Sequence, residues 1–151
     1  MADSIEPSLR ALVGTRAAPQ TELVIRRDIR KYSVATAQRL QKYIDGDEAP
    51  PFFHLSLFWP VVLLTDIASD GCARDAMFPE AGSRRPIAGG MKVEYHRPIR
   101  PGDFLTANRT LARIYEKQGS SGTLLFFDVT TRVTNASDEL VLVETTTRIQ
   151  R

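Results

Sequence analysis

The stretch 89-GGMKVEYHRPIRPGDF-104 decides how the chain is read. Met91 to His96 alternates apolar and polar side chains, the period-two pattern of a strand with one buried face. Prolines follow at 98 and 101. Neither can donate to a ladder, so pairing is confined to the residues before and after them. Gly102-Asp103 has turn chemistry and launches the next strand at Phe104. Gly89-Gly90, at the head of the first strand, permits close approach of another backbone or of a ligand. The segment reads as a sheet corner. Arg97 and Arg100 bracket it, and a corner does not require them.

Outward from this corner the same character continues to the end of the chain. Phe104 to Tyr115, Thr123 to Thr134 and Leu140 to Ile149 are rich in Val, Thr, Phe, Leu and Ile, with partial alternation. The breaks at 116–122 and 135–138 carry Gly, Ser, Asn and Asp. Four successive strands predict an antiparallel meander.

Toward the N-terminus the periodicity changes. Glu6 to Val13 predicts a short helix ended near Gly14, and Gln20 to Ile25 a strand. From Arg27 to Tyr43, Ile29, Tyr32, Ala35 or Thr36, Leu40 and Tyr43 recur at helical spacing, which predicts an amphipathic helix. Residues 45–51 form a loop with glycine and paired prolines. Phe52 to Ser69 is apolar on nearly every side, the pattern of a fully buried helix. Gly71 to Arg85 reads as a long loop. A helix hydrophobic all round must be wrapped, and a curved sheet is the partner at hand. The expectation is an α+β hot-dog fold: one domain over residues 1–151, a curved antiparallel sheet around one long buried helix.

Composition narrows the function classes. With 42% hydrophobic and 25% charged residues the chain is globular in character. The apolar run from Phe52 to Leu64 falls short of the roughly 20 residues a spanning helix needs. MADSIEPSLR lacks the apolar region of a secretory signal, so a cytoplasmic protein is expected. One cysteine, Cys72, excludes an internal disulfide and a cysteine metal cluster, and no metal is expected. The net charge of +2 comes from scattered basic residues without a stripe of stacking aromatics, so neither nucleic acid nor membrane is an expected partner.

The motifs carry more. The blocks 50-PPFFHLSLF-58, 88-AGGMKVEYHRPIRPGD-103, 117-KQGSSGTLLFF-127 and 144-ETTTRIQR-151 resemble the MaoC-like hydratases and dehydratases. More narrowly they resemble the N-terminal, FAS1-like dehydratase domain of that group, in its mesaconyl-CoA and itaconyl-CoA hydratase branch. The resemblance runs from about Val13 to the C-terminus. It implies a hot-dog subunit acting on thioesters of coenzyme A or acyl carrier protein, adding or removing water beside the thioester carbonyl. Coenzyme A or phosphopantetheine would enter as part of the substrate, and no separate cofactor is implied.

That chemistry needs a base for water, an acid for the neighbouring carbon and donors for an enolate-like oxygen. In the family an Asp and a His spaced D-x-N-x-x-H handle the protons. Neither histidine of this chain, His54 or His96, completes that motif. By distance from Ile29, the motif falls on Gln38-x-Leu40-x-x-Tyr43: an amide, an alkyl chain and a phenol. The resemblance therefore implies a non-catalytic, substrate-binding half that pairs with a second hot-dog subunit. His54 is kept as a lone catalytic candidate, and Asp66 as the base of a hot-dog thioesterase. The expected substrate-binding residues are Phe52, Phe53, His54, Gly89, Gly90, His96, Arg97 and Arg100. Alternatives are a self-sufficient homodimeric hydratase with unconventional residues and an acyl-binding structural subunit without turnover.

Overall fold

The computed structural model describes residues 5–67, 71, 73–79, 85–120 and 122–151. The alternating last third forms four long strands: β2 (Pro86–Tyr95), β3 (Phe104–Gly119), β4 (Gly122–Asn135) and β5 (Leu140–Gln150). A short β1 (Gln20–Leu23) completes one antiparallel sheet of order β1-β3-β4-β5-β2. The hairpins β3–β4 and β4–β5 are the expected meander. β2 departs from it: it pairs with β5 at the far edge and not with β3.

The two prolines are explained by that departure. Residues 96–103 must cross from the β2 edge to β3, past two intervening strands, and a crossover makes no ladder. Its backbone groups are satisfied one at a time. The His96 and Arg97 amides donate to Val141 O (2.9 and 3.2 Å), and Ile99 O accepts from Ala49 N–H at 2.8 Å. Gly102 and Val24 close the far end, with Gly102 N–H on Val24 O (2.9 Å) and Val24 N–H on Asp103 O (2.8 Å). Ile99 is buried in the middle of the crossover.

Gly89-Gly90 sits at a register shift in the β2–β5 ladder. A Cβ on Gly89 would lie 2.8 Å from both Thr147 Cγ2 and Thr147 O, and Gly90 has φ +148°. The pair lets β2 bulge against β5. The close approach that Gly89 permits is of the Thr147 backbone and side chain, whereas a Cβ on Gly90 would meet nothing within 4 Å.

Sheet packing follows from the register. The face bearing Ala107, Val133 and Leu142 is covered by α2 (Arg26–Ala35) and α4 (Phe53–Leu57), which bury Ile29 and Phe53 against it. Further along the same face, Leu111, Phe127 and Val129 pack with Met77, Phe78 and Leu9 of α1 (Pro7–Arg10). The core is therefore two apolar clusters side by side on one face.

Two helix expectations need correction. The helix expected through Tyr43 stops at Ala35 and restarts as α3 (Gln41–Ile44). Gln38 N–H donates to Ser33 O (2.9 Å) and Ala37 N–H to Val34 O (3.1 Å), a left-handed cap with Ala37 at φ +52°. Glycine is the usual residue at such a cap, so sequence gave no warning. The long buried helix from Phe52 is also not formed. Only Phe53–Leu57 is helical, with a 3-10 turn at Leu64–Asp66, and residues 68–70 lie outside the described set. Pro60 is the cause: it has no N–H to give Ser56 O and pushes Trp59 out of the helical region. Trp59, Leu63 and Leu64 are exposed, and Val61 is 102% exposed. This apolar strap runs over the surface.

The Ala37 cap yields a stability prediction. Ala37→Gly removes the Cβ strain of a left-handed alanine and should raise unfolding stability by about 0.5–1 kcal/mol. Urea denaturation should show a higher midpoint at unchanged slope; an unchanged or lower midpoint contradicts the cap.

Candidate active site

The polar chemistry of the covered face lies between the two apolar clusters. By register, Arg109 (β3), Thr131 (β4), Glu144 (β5) and Val93 (β2) stand in one row across the sheet. The rows on either side are Ala107, Val133, Leu142, Tyr95 and Leu111, Val129, Thr146, Met91. The charged members of the middle row are each paired. Arg109 holds Asp75 through Nη2–Oδ2 at 2.7 Å and Nη1–Oδ1 at 3.3 Å. Glu144 holds His54 of α4, with Nε2 and Oε2 at 2.6 Å, and its other oxygen accepts from Thr146 Oγ1 at 2.7 Å.

The Glu144 carboxyl is the electrostatic anchor. Burial pushes its pKa up, but the hydrogen bonds from His54 and Thr146 and the nearby charges of His54 and Arg109 outweigh this. The net effect holds it below the ordinary glutamate range, so it is ionised at neutral pH. His54 is 2% exposed, and its second ring nitrogen, Nδ1, has no hydrogen-bond partner. A buried polar atom left without a partner costs about 1–3 kcal/mol.

Two aromatic rings close over this pair. Phe52 stacks on the His54 ring at 6.4 Å between centroids, and Tyr95 meets it edge-on at 6.2 Å. Phe52 is left-handed, at φ +65°, which costs a bulky residue about 1–2 kcal/mol. It is held there by its own N–H, which donates to Tyr95 Oη at 2.8 Å. Burial raises the Tyr95 phenol pKa, and the charge of Glu144 and the neighbouring Tyr43 add to that; the Phe52 hydrogen bond opposes it. Tyr95 also lines a cleft of about 420 Å³, together with Tyr43, Pro51, His96, Arg97 and Ile99.

The expected binding residues divide accordingly. His96 and Arg97 line the cleft, Phe52 and His54 belong to the covered pair beside it, and Tyr95 joins the two. Phe53 is a core residue, edge-on to Tyr32 at 5.6 Å, and does not line the cleft. Gly89 and Gly90 serve the β2 bulge. Arg97 pairs with Glu139, whereas the exposed Arg100 guanidinium has no ion pair among the described residues. Asp66 is exposed beside Thr65, and Asp75 is committed to Arg109. Among the described residues no cluster is placed to hold a metal ion, and no helix is long and apolar enough to cross a membrane.

The residues that sequence reading missed are Glu144, Tyr95 and Tyr43. Glu144 opens the ETTTRIQR block, but it lies 90 positions from His54, and only the β5 register shows that the two meet. Tyr43 lines the cleft at the position where the family motif would end in histidine.

Removing the carboxylate gives a prediction with a defined pH sign. At pH 7, Glu144→Gln should lower stability by about 1.5–3 kcal/mol, the range for a hydrogen bond to a charged group. The folded carboxyl titrates below its unfolded value of about 4.3, so its contribution is complete above that pH. It is lost as pH falls through the lower folded value. Denaturation curves of the two proteins should therefore converge in acid, and a gap that stays constant contradicts an ionised Glu144.

The comparisons with known proteins agree with this architecture. A family model described as the FAS1-like, dehydratase domain region matches residues 11–144. A UPF0336 protein of Streptomyces griseus is 24% identical over 145 residues, 94% of each chain. The ChsH1–ChsH2 complex from Mycobacterium tuberculosis is similar at a TM-score of 0.66 and 18% identity, over 90% of this chain and 84% of that one. The HadBC (3R-hydroxyacyl-ACP dehydratase) complex from the same organism is similar at 0.58 and 17%, over 91% and 96%. The fold is a hot dog, and with nearly nine-tenths of its length inside the family model the chain belongs to the FAS1-like dehydratase domain family.

Proposed function

We propose that this chain is the substrate-binding half of an acyl-thioester hydratase or dehydratase, paired with a second hot-dog subunit that carries the acid and base. The observation behind this reading is the substitution of the family motif by Gln38, Leu40 and Tyr43. An amide and an alkyl chain transfer no protons, and a phenol does not replace an imidazole as a general base. Yet the cleft beside Tyr43 is retained, with the Tyr95 phenol, His96 and Arg97 in its wall. A binding surface without the proton-transfer groups is what a half-site needs.

The surface supports a partner. β2 is a long edge strand, exposed along nearly its whole length, and the apolar strap of Trp59, Val61, Leu63 and Leu64 lies uncovered. Open edges and contiguous apolar patches mark interaction sites. The similar ChsH1–ChsH2 and HadBC structures are complexes, consistent with two hot dogs side by side. Of the two corner arginines, Arg100 is the one available in such an assembly to the nucleotide phosphates of coenzyme A, because Arg97 already faces Glu139. A second reading, a self-sufficient hydratase, is favoured by one observation: His54 and Glu144 form an imidazole–carboxylate pair.

Activity separates the two. The purified chain should hydrate crotonyl-CoA and mesaconyl-CoA no faster than buffer, and a hot-dog chain bearing D-x-N-x-x-H should restore turnover when added. Enzyme-like turnover by this chain alone contradicts the half-site; its loss in His54→Gln would move the assignment to the second reading.

Assembly is tested at the strap. Val61 touches solvent on all sides, so Val61→Glu should leave stability within about 0.5 kcal/mol of the parent while weakening association. Light scattering should show a lower mass for the variant. A parent that is strictly monomeric at micromolar concentration, alone and with candidate partners, contradicts the reading.

A further inference from the structure

The outward face of the sheet carries a cluster that neither the core nor the cleft accounts for. Alternation places Tyr115 of β3, Phe126 of β4, Ile149 of β5 and Ile87 of β2 in one row on the face away from the helices. None of the four belongs to either apolar core cluster, and Ile87 is 43% exposed. Tyr115 and Phe126 stack at 5.0 Å between centroids, 14° from parallel. A cross-strand aromatic pair is reason enough for a hairpin. It does not explain why the apolar row continues over two more strands to the open edge.

Cations border this row on both sides. On one side stand Lys117, Leu124, Arg151 and Arg85, the last two joined by backbone hydrogen bonds of 2.8 and 3.1 Å. On the other stand Arg113, Asp128, Thr147 and Gly90. Asp128 is the one acidic side chain of the three rows, and it is already engaged. It accepts from Arg113 Nε at 2.9 Å, Arg113 Nη2 at 2.5 Å and Thr147 Oγ1 at 2.6 Å. The Asp128 side chain is buried, whereas that of Arg113 is 65% exposed. The Arg113 guanidinium lies 4.5 Å from the Tyr115 ring centroid and Lys117 Nζ 5.0 Å from that of Phe126. Lys117, Arg85 and Arg151 have no ion pair among the described residues.

Charge and dimensions select the partner. Rows two residues apart put the cationic borders about 13 Å from each other, and three strand spacings make the apolar row about 14 Å long. An α-helix about 10 Å across fits between such borders, and about ten residues of it span the row. Its contact stripe must be apolar and its shoulders acidic. A second copy of this chain does not fit, because its own cationic borders would face these. Stacking of a nucleic-acid base needs an open ring face, whereas these rings lie on each other beneath Arg113 and Lys117.

We propose that the outward face docks an acidic amphipathic helix of a partner protein, seated on Tyr115, Phe126, Ile149 and Ile87 with its carboxylates on Lys117, Arg85 and Arg113. Pairing along the β2 edge uses backbone groups and leaves this face open, so both partners can be held at once. The surface is separate from the cleft, and the inference stands or falls without the half-site reading.

The test is NMR titration of the ¹⁵N-labelled full chain with a synthetic helical peptide, leucine along one stripe and glutamate on both shoulders. A second peptide carries lysine in place of glutamate. Amides of residues 113–117, 124–128 and 147–149 should shift with the glutamate peptide and not with the lysine peptide. The double variant Lys117→Glu/Arg85→Glu, changed only at exposed side chains, should bind the glutamate peptide at least about tenfold more weakly, since two surface attractions become repulsions. It should now accept the lysine peptide. Arg132→Glu, exposed on the same face three rows away, should bind as the parent does. No binding of the glutamate peptide, equal binding of the two peptides, or shifts confined to other surfaces such as residues 26–31 would overturn the inference. So would a loss in Arg132→Glu equal to that of the double variant. Co-sedimentation with phosphatidylglycerol vesicles that the double variant abolishes would assign the face to an anionic membrane and overturn the helix.

Discussion

One hydrogen bond organises the covered face of the sheet: His54 Nε2 on Glu144 Oε2, from α4 to β5. α4 is only five residues long, too short to hold itself together, and Pro60 prevents it from growing. It is fixed to the sheet from two sides, by Phe53 in the apolar cluster and by His54 on the polar row. Because it is fixed, Phe52 is forced left-handed against Tyr95, the 48–51 loop meets the crossover, and a cleft remains between them. Burial pushes the Glu144 carboxyl up, and the hydrogen bonds from His54 and Thr146 with the nearby charges outweigh it, holding the anchor below the ordinary glutamate range.

The crossover is the second constraint, and the two meet at Tyr95. Placing β2 beside β5 leaves Tyr95 as the last residue of an edge strand and the first wall of the cleft. The same topology exposes β2 along its length. An open strand and an uncovered apolar strap on one chain are a poor end point for a monomer. The proposed half-site role and the surface suit each other: Gln38, Leu40 and Tyr43 stand where the family motif has its proton-transfer groups, and the chain offers an open edge to a second subunit.

Much of this was legible in the sequence, for physical reasons that can be named. The strands were visible because one buried face imposes alternation, and the break between β2 and β3 because prolines 98 and 101 forbid a ladder, although that break reads as a corner and not as a crossover. The pairing of β2 with β5 was not visible, since alternation says which face is buried and nothing about which neighbour is chosen. The helix through Phe52 failed because average hydrophobicity was allowed to outweigh Pro60, the one residue in the run with a steric veto. Ala37 hid a helix end by doing what glycine usually does. The candidate site was half legible: His54, His96 and Arg97 stood out by type, whereas Glu144 and Tyr95 acquired meaning only when β5 and β2 were laid side by side.

The central claim, that β2 and the strap are built to be covered by a second hot dog, is tested most directly by amide hydrogen exchange. The chain would be measured alone at low concentration and again with a hot-dog subunit that carries D-x-N-x-x-H. The account predicts that slowing on assembly concentrates in residues 59–66 and 86–95, while amides in the paired centre of β3 and β4 exchange as before. Binding that leaves both of those segments unchanged, or protects only surfaces elsewhere, would contradict it.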